Sequence, residues 1–187
     1  MTDAPDFWSL YVPDENVPDH LRRFLHRDRH IGEQSLAYYA YGYSRSFEEL
    51  VVYALKIWPR AEYLRLPLFF LARHSAELHL KNVIAQFSSE AGQTHDAAST
   101  HSLLTLWNRA TQLVPLSPED QWSSHVGRLI AHLHEFDPDG QRFRYPADNK
   151  GLPFAGTRVE LTELAQTHGS ITLWTEGACD MLDAGRL

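Results

Sequence analysis

Apolar positions recur at helical spacing over most of the chain, separated by polar or Pro/Gly-rich breaks. From Glu33 to Trp58, Leu36, Tyr39, Tyr43, Phe47, Leu50, Val51, Ala54 and Leu55 keep a helical period; Gly42 weakens this first helix and Pro59 stops it. Pro67 opens the most apolar helix, which runs to about Glu90 with Ala91-Gly92 past its end. After a polar connector from Gly92 to Ser99, Ser99 or Thr100 caps a third helix through about Val114 that carries Leu103, Leu104, Trp107, Ala110 and Leu113. Ser117-Pro118-Glu119-Asp120 reads as a helix start, with a capping Ser, Pro at the first position and acids in the first turn. That fourth helix places Trp122, Val126, Leu129, Ile130 and Leu133 on one stripe. Thr162 caps a last helix with Leu164, His168, Ile171, Trp174, Ala178 and Met181 on one face.

The breaks are as informative as the helices. Met1 to Gly32 carries Pro5, Pro13 and Pro18 without a sustained period, and its Phe7-Trp8-Ser9-Leu10-Tyr11-Val12 run predicts an apolar plug packing on the helices. Asp137-Pro138-Asp139-Gly140 is a turn, and Gln141 to Thr157, with Pro146, Gly151, Pro153 and Gly156, is a long loop before the last helix. Val159-Glu160-Leu161 reads as a short extended piece. About four to five helices with short connections predict an all-α, single-domain antiparallel bundle.

One helix breaks its own pattern. At about 100° per residue, Phe69, Leu80, Ile84 and Phe87 cluster around Arg73 on the second helix. Glu77 falls between Ile84 and Phe70, with Lys81 and His74 just beyond, so Arg73, Glu77 and Lys81 form a row one turn apart that starts inside the apolar stripe. An unpaired buried charge costs several kcal/mol, so these groups must be paired or face a polar cavity. In the first case they are a structural ion pair. In the second they open onto a ligand pocket, to which His101, Arg144 with the adjacent Tyr145, and the core-facing His168 also contribute.

Composition narrows the chemistry. The chain has 187 residues, 43% hydrophobic, 22% charged and 12% aromatic, ordinary for one globular domain. A net charge of −7 argues against a broad basic footprint for duplex DNA, while leaving room for a local basic pocket. The single cysteine, Cys179, forms neither an internal disulfide nor a zinc cluster and reads as packing in the last helix. The acidic start Met1-Thr2-Asp3-Ala4-Pro5-Asp6 lacks a signal-peptide pattern, and no apolar run approaches the ~20 residues of a membrane span, which points to the cytoplasm. His-Glu-x-x-His, phosphate-loop, dinucleotide and Gly-x-Ser-x-Gly patterns do not occur. His132 and His134 face apart on a helix, and the calcium-loop-like Asp137-Pro138-Asp139-Gly140 misplaces its Gly, so neither a metal nor a cofactor is expected.

Phe69-Phe70-Leu71-Ala72-Arg73-His74-Ser75-Ala76-Glu77-Leu78-His79-Leu80-Lys81 resembles the second-helix pattern of HEPN-type domains, small helical bundles of bacterial toxin–antitoxin and phage-defence proteins. It is similar to a group of bacterial proteins with an Arg-His-x-x-Glu-Leu-x-Leu-Lys core, followed by His-x-Leu-x-x-Leu-Trp, here His101 to Trp107, and Phe-Arg-Tyr-Pro, here Phe143 to Pro146. The match runs from about Pro67 to Gly151. The resemblance implies a phage-defence or toxin–antitoxin setting, RNA or nucleotide as ligand, and a cognate protein or a second copy as partner. Its catalytic members are metal-independent ribonucleases with an Arg-x(4–6)-His motif paired across a dimer, which Arg73 to His79 matches as a string. A regular helix nevertheless sets Arg73 and His79 about 120° apart, placing His79 on the polar side, and the family's motif belongs to a later helix. Arg128 and His132, with His125 a turn before, are a second Arg/His set and read as a solvated flank.

Three functions therefore remain. The first is a non-catalytic HEPN-like module that binds a nucleotide, RNA or partner protein through the polar pocket. The second is a metal-independent ribonuclease in which Arg73, His74 and Glu77 act. The third is a structural or interaction protein with a buried ion network.

Overall fold

A computed structural model describes residues 35–93, 99–117, 119–147, 150–153, 158 and 160–185. All of them lie in the unit Ser35–Leu187. The predicted apolar plug at Phe7–Val12, the rest of residues 1–34 and the Val159 part of the extended piece lie outside the described residues. The chain folds as a helical bundle: α1 (Leu36–Ile57), a 3-10 turn (Glu62–Leu64), α2 (Arg65–Glu90), α3 (Leu103–Leu113), α4 (Gln121–Phe136) and α5 (Leu161–Asp183). No strand occurs among the described residues, and no helix is long and apolar enough to cross a membrane.

The helix starts differ from expectation in a consistent way. Ser35, not a residue before it, caps α1 by accepting from the Tyr38 N–H. Ser102 caps α3 through the Thr105 N–H, while Thr100 holds the Ser102 N–H one step upstream. Asp120 caps α4, taking the Trp122 and Ser123 N–H groups at 3.0 and 3.1 Å, whereas Ser117 closes the turn before it. Glu160 is the extended N-cap residue of α5 and makes no side-chain cap, so Thr162 sits inside the first turn. In each case the N-cap is the last extended residue before the helix, and Ser35, Ser102 and Asp120 use that position to reach free N–H groups of the first turn with their side chains.

Helix α2 packs against α1, α3 and α5, and this arrangement decides which faces are buried. Its buried residues lie all round the helix, with small Ala72, Ser75, Ala76 and Ser88 allowing close approach of the neighbours. On α1, the buried positions are Ala40, Ser44, Phe47, Val51 and Ala54; the predicted Leu36, Tyr39 and Leu55 are exposed. The face is rotated because small Ala40 and Ser44 fit where larger side chains do not. On α3, Leu106 is buried and Leu104 exposed; on α4, Ser123 is buried and Trp122 exposed. Ser123 belongs inside because its hydroxyl accepts from Trp174 Nε1 at 2.6 Å while donating to the Asp120 cap, also at 2.6 Å. Gly127 leaves room for Trp107, since a Cβ there would lie 2.9 Å from the indole nitrogen. The α5 stripe is as predicted, with Leu164, His168, Ile171, Trp174 and Ala178 buried.

The segment after α4 is tied to α2. Phe143 stacks on Phe69 with ring centroids 3.7 Å apart, and a turn at residues 142–144 hands the chain to an antiparallel bridge between Ala147 and Pro153. This anchoring carries Arg144 and Tyr145 to the edge of α2.

Candidate functional site

The row predicted on α2 is inward and completely engaged. Arg73 is 3% exposed and Glu77 2%. Arg73 Nη1 donates to Glu77 Oε2 at 3.0 Å, Nη2 donates to the His101 carbonyl at 2.7 Å, and Nε donates to the Asp137 carbonyl at 3.0 Å while lying 3.2 Å from Asp137 Oδ2. Lys81 Nζ donates to Glu77 Oε1 at 2.9 Å, and His101 Nδ1 lies 2.8 Å from the same oxygen. Asp137 Oδ1 accepts the Arg142 N–H at 3.0 Å. Gly140, at φ +76°, brings its backbone flat against the guanidinium; a Cβ would lie 2.9 Å from Nη1. Two cations, Arg73 and Lys81, face two carboxylates, Glu77 and Asp137. Burial pushes the Glu77 carboxyl up, but hydrogen bonds from Lys81, His101 and Arg73 outweigh it and hold the group below its ordinary value.

Asp137 was legible only as a turn residue, and it is the member that closes the network. Charge balance was the available signal: Arg73 and Lys81 with Glu77 alone leave one buried positive charge, which demands another acid nearby.

At the edge of this network a second group forms. His74 is half-buried, stacked parallel to Phe70 with centroids 5.5 Å apart and met edge-on by Tyr43 at 4.5 Å. Arg144 lies over the Phe70 ring at 5.9 Å and the Tyr145 ring at 5.8 Å, with Nε donating to the Gly140 carbonyl. Both Arg144 and Tyr145 are exposed, and 61% of the His101 side-chain surface is open. Burial holds the His74 imidazole below its ordinary value, and Arg144, Arg73 and Lys81 add to the effect against the pull of Glu77. The imidazole is therefore neutral at neutral pH.

His168 does not join these residues. It is buried on another side of α2, its Nε2 3.0 Å from the Ser75 hydroxyl and its ring 4.4 Å from Phe47. His79 is there too, and this corrects the expectation that it lies on a polar side: it is 7% exposed, and its Nε2 has no hydrogen-bond partner among the described residues. The reason is that α2 is covered on several sides, so a residue 120° from Arg73 meets other helices instead of water. Burial pushes both imidazoles down to about 4. Arg73 and His79 therefore do not converge, as the wheel required.

The second Arg/His set divides as well. His125 and His132 line a cavity of about 410 Å³ between α4 and α5, with Glu163, Gln166 and Thr167 opposite, while Arg128 is exposed and outside that lining. Neither this cavity nor the smaller one between α1, α2 and α5 is lined by the Arg73 network. Among the described residues, no group of three or more His, Cys, Asp or Glu side chains has metal-holding geometry. No protein-family model, curated protein or solved structure matches the chain significantly.

Proposed function

We propose that this protein is a non-catalytic, HEPN-like antiparallel helical module that binds a nucleotide or the exposed bases and phosphates of RNA at the edge of α2. Arg144, Tyr145, His74 and His101 form the contact surface, and Arg73, Glu77, Lys81 and Asp137 are the frame beneath it. The observation that carries this reading is the run of ring and guanidinium contacts through Tyr43, His74, Phe70, Arg144 and Tyr145, open to solvent at its Arg144–Tyr145 end. An exposed ring with a guanidinium across it offers a base a stacking surface and a phosphate a charge. The chain's net −7 confines such binding to a small footprint.

Binding is favoured over ribonuclease action by the state of Arg73. All three of its nitrogens are engaged and it is 3% exposed, so a developing phosphorane has no open approach to its remaining N–H groups. The same closure favours, as a second reading, a structural or interaction bundle in which the network only supports the fold.

One titration separates the readings. A labelled single-stranded RNA and a labelled nucleotide are followed by fluorescence anisotropy at low salt. Binding is expected to weaken roughly tenfold or more in Arg144→Ala and Tyr145→Ala, with the salt slope of Arg144→Ala reduced by about one. Absence of binding at low salt, or variants that bind as the parent does, rejects the module and leaves the structural reading. RNA cleaved by the parent but not by His74→Ala restores the ribonuclease.

A further inference from the structure

The bundle uses only one face of α1, on which Ala40, Ser44, Phe47, Val51 and Ala54 are buried. Most of the exposed large apolar side chains among the described residues nevertheless stand on or just after this helix. Apolar side chains left exposed together on one element mark an interaction surface, whereas single scattered ones do not. Four of them, Tyr38, Tyr41, Val52 and Leu55, each leave between 43% and 64% of their surface open. Arg45 and Glu48 lie between the two apolar pairs, with side chains 50% and 39% exposed.

These six residues are spaced three, four, three, four and three apart, the heptad a/d pattern of a helix that pairs with another helix. The pattern is also a palindrome. About a point midway between Ser46 and Phe47, Tyr38 mirrors Leu55, Tyr41 mirrors Val52 and Arg45 mirrors Glu48. A two-fold axis through that point, normal to the helix, sets each residue of one copy against its mirror residue in another. Apolar side chains then meet at both ends, and a guanidinium meets a carboxylate twice at the centre. Parallel pairing would instead set arginine on arginine and glutamate on glutamate, so the charges select the antiparallel order. A palindrome is needed by a second copy and by no other occupant.

We propose that the outer stripe of α1 binds a second copy of this chain antiparallel, with Tyr38 on the partner's Leu55, Tyr41 on the partner's Val52 and Arg45 paired with the partner's Glu48. In the single chain Arg45 Nη1 donates to Glu48 Oε2 at 2.6 Å and Nη2 to Glu49 Oε1 at 3.2 Å. Both charges are thus already held side by side at the surface, and association joins two separate pairs into one network without stranding a charge. The stripe runs about 26 Å along the helix at ~1.5 Å per residue. A contact of one helix on another is small for a protein interface, so a reversible dimer in the micromolar range is expected. Tyr43, which meets His74, and the Arg144–Tyr145 surface lie outside the stripe, so this pairing and RNA binding stand or fall separately.

Sedimentation velocity of the full chain over a concentration series tests the surface. A monomer–dimer equilibrium is expected, and a parent that stays monomeric up to about 1 mM overturns the proposal. Arg45→Glu and Glu48→Arg each bring like charges together at the centre and weaken the dimer about tenfold or more. Their equimolar mixture, in which every glutamate again meets an arginine, restores it; mixing does not rescue a misfolded chain. Register is read by disulfides. Tyr41→Cys and Val52→Cys do not crosslink alone and crosslink when mixed under oxidant, with the parent and its half-buried Cys179 as the control. A dimer indifferent to both charge reversals, a mixture that fails to restore association, or Tyr41→Cys linking to itself instead of to Val52→Cys would each overturn the pairing.

Discussion

Lowering the pH should loosen this bundle through two buried imidazoles before its carboxylates titrate. His79 and His168 are both packed among α1, α2 and α5, and burial lowers each from 6.5 to about 4. The folded chain therefore resists protons that the unfolded chain accepts. The stability conferred by the neutral rings is fully present above pH 6.5 and is lost as pH falls toward about 4. At pH ~5 the unfolded imidazole is almost fully protonated and the folded one hardly at all, which removes about 2 kcal/mol per residue, or about 4 for the pair. The charged groups facing the pair act on this sum. Glu48 favours protonation of His79, while His79 disfavours it in His168. His74, also held low, adds in the same direction, and Glu176, held high, works slightly against it. Urea unfolding followed by far-UV circular dichroism at pH ~7.5 and ~5 measures the difference directly. His79→Leu, which removes an unpartnered nitrogen, should leave stability at pH ~7.5 equal or higher and shrink the pH difference by about 2 kcal/mol. His168→Leu should shrink it similarly while costing the Ser75 hydrogen bond at every pH. A difference below about 1 kcal/mol in the parent, or one undiminished in the double variant, would refute the assignment of these rings as buried and neutral.

Two further outcomes test the network and its packing. Arg73→Met should cost about 3–5 kcal/mol by the urea midpoint, because Glu77 and Asp137 are left facing burial without their cation, and Arg73→Lys should recover little, since one ammonium cannot serve acceptors placed for three nitrogens; a loss under about 1 kcal/mol in either would show that the network does not form. Gly140→Ala meets both a φ of +76° and a guanidinium nitrogen 2.9 Å from the new carbon, whereas Gly151→Ala meets φ +77° in open space. The first should lose about 1–3 kcal/mol and the second about 1 or less, so equal thermal shifts would argue against the close approach to Arg73.

How far the sequence carried these results differs from one side of α2 to the other. The spacing of Arg73, Glu77 and Lys81 among Phe69, Leu80 and Ile84 made the inward row legible, because a one-turn repeat puts side chains on one face whatever surrounds the helix. His79 was misplaced because a wheel with one apolar stripe presumes a wet opposite face. A helix enclosed by three neighbours has no such face, and the small residues Ala72, Ser75, Ala76 and Ser88 scattered around α2 were the sign of that enclosure. The same blindness affected α1, where large side chains look more core-like than Ala40 and Ser44, although close packing on another helix selects the small ones. Asp137 was missed for a different reason. Its contact with Arg73 joins residues 64 positions apart, and no local period reports such a pairing.

The central helix buries polar groups on two sides and resolves them differently, which bears on where selection for a ligand acts. Around Arg73 every nitrogen finds an oxygen and every charge its opposite, so this side completes itself within the chain. A ligand placed there must break bonds already made, and any binding falls to the exposed Arg144 and Tyr145 beyond it. Around His79 the reverse holds. Among the described residues, His79 Nε2 has no hydrogen-bond partner, although the nitrogen is closed off from solvent. An unpaired buried nitrogen is a standing cost that a leucine would remove, and burial of the same ring makes stability fall with acid. Both effects are read in one variant. Stability of His79→Leu equal to or above the parent's at pH ~7.5, with the pH difference reduced by about 2 kcal/mol, identifies this ring as an acid-sensitive element of the bundle; a variant with the parent's full pH difference removes it from that role.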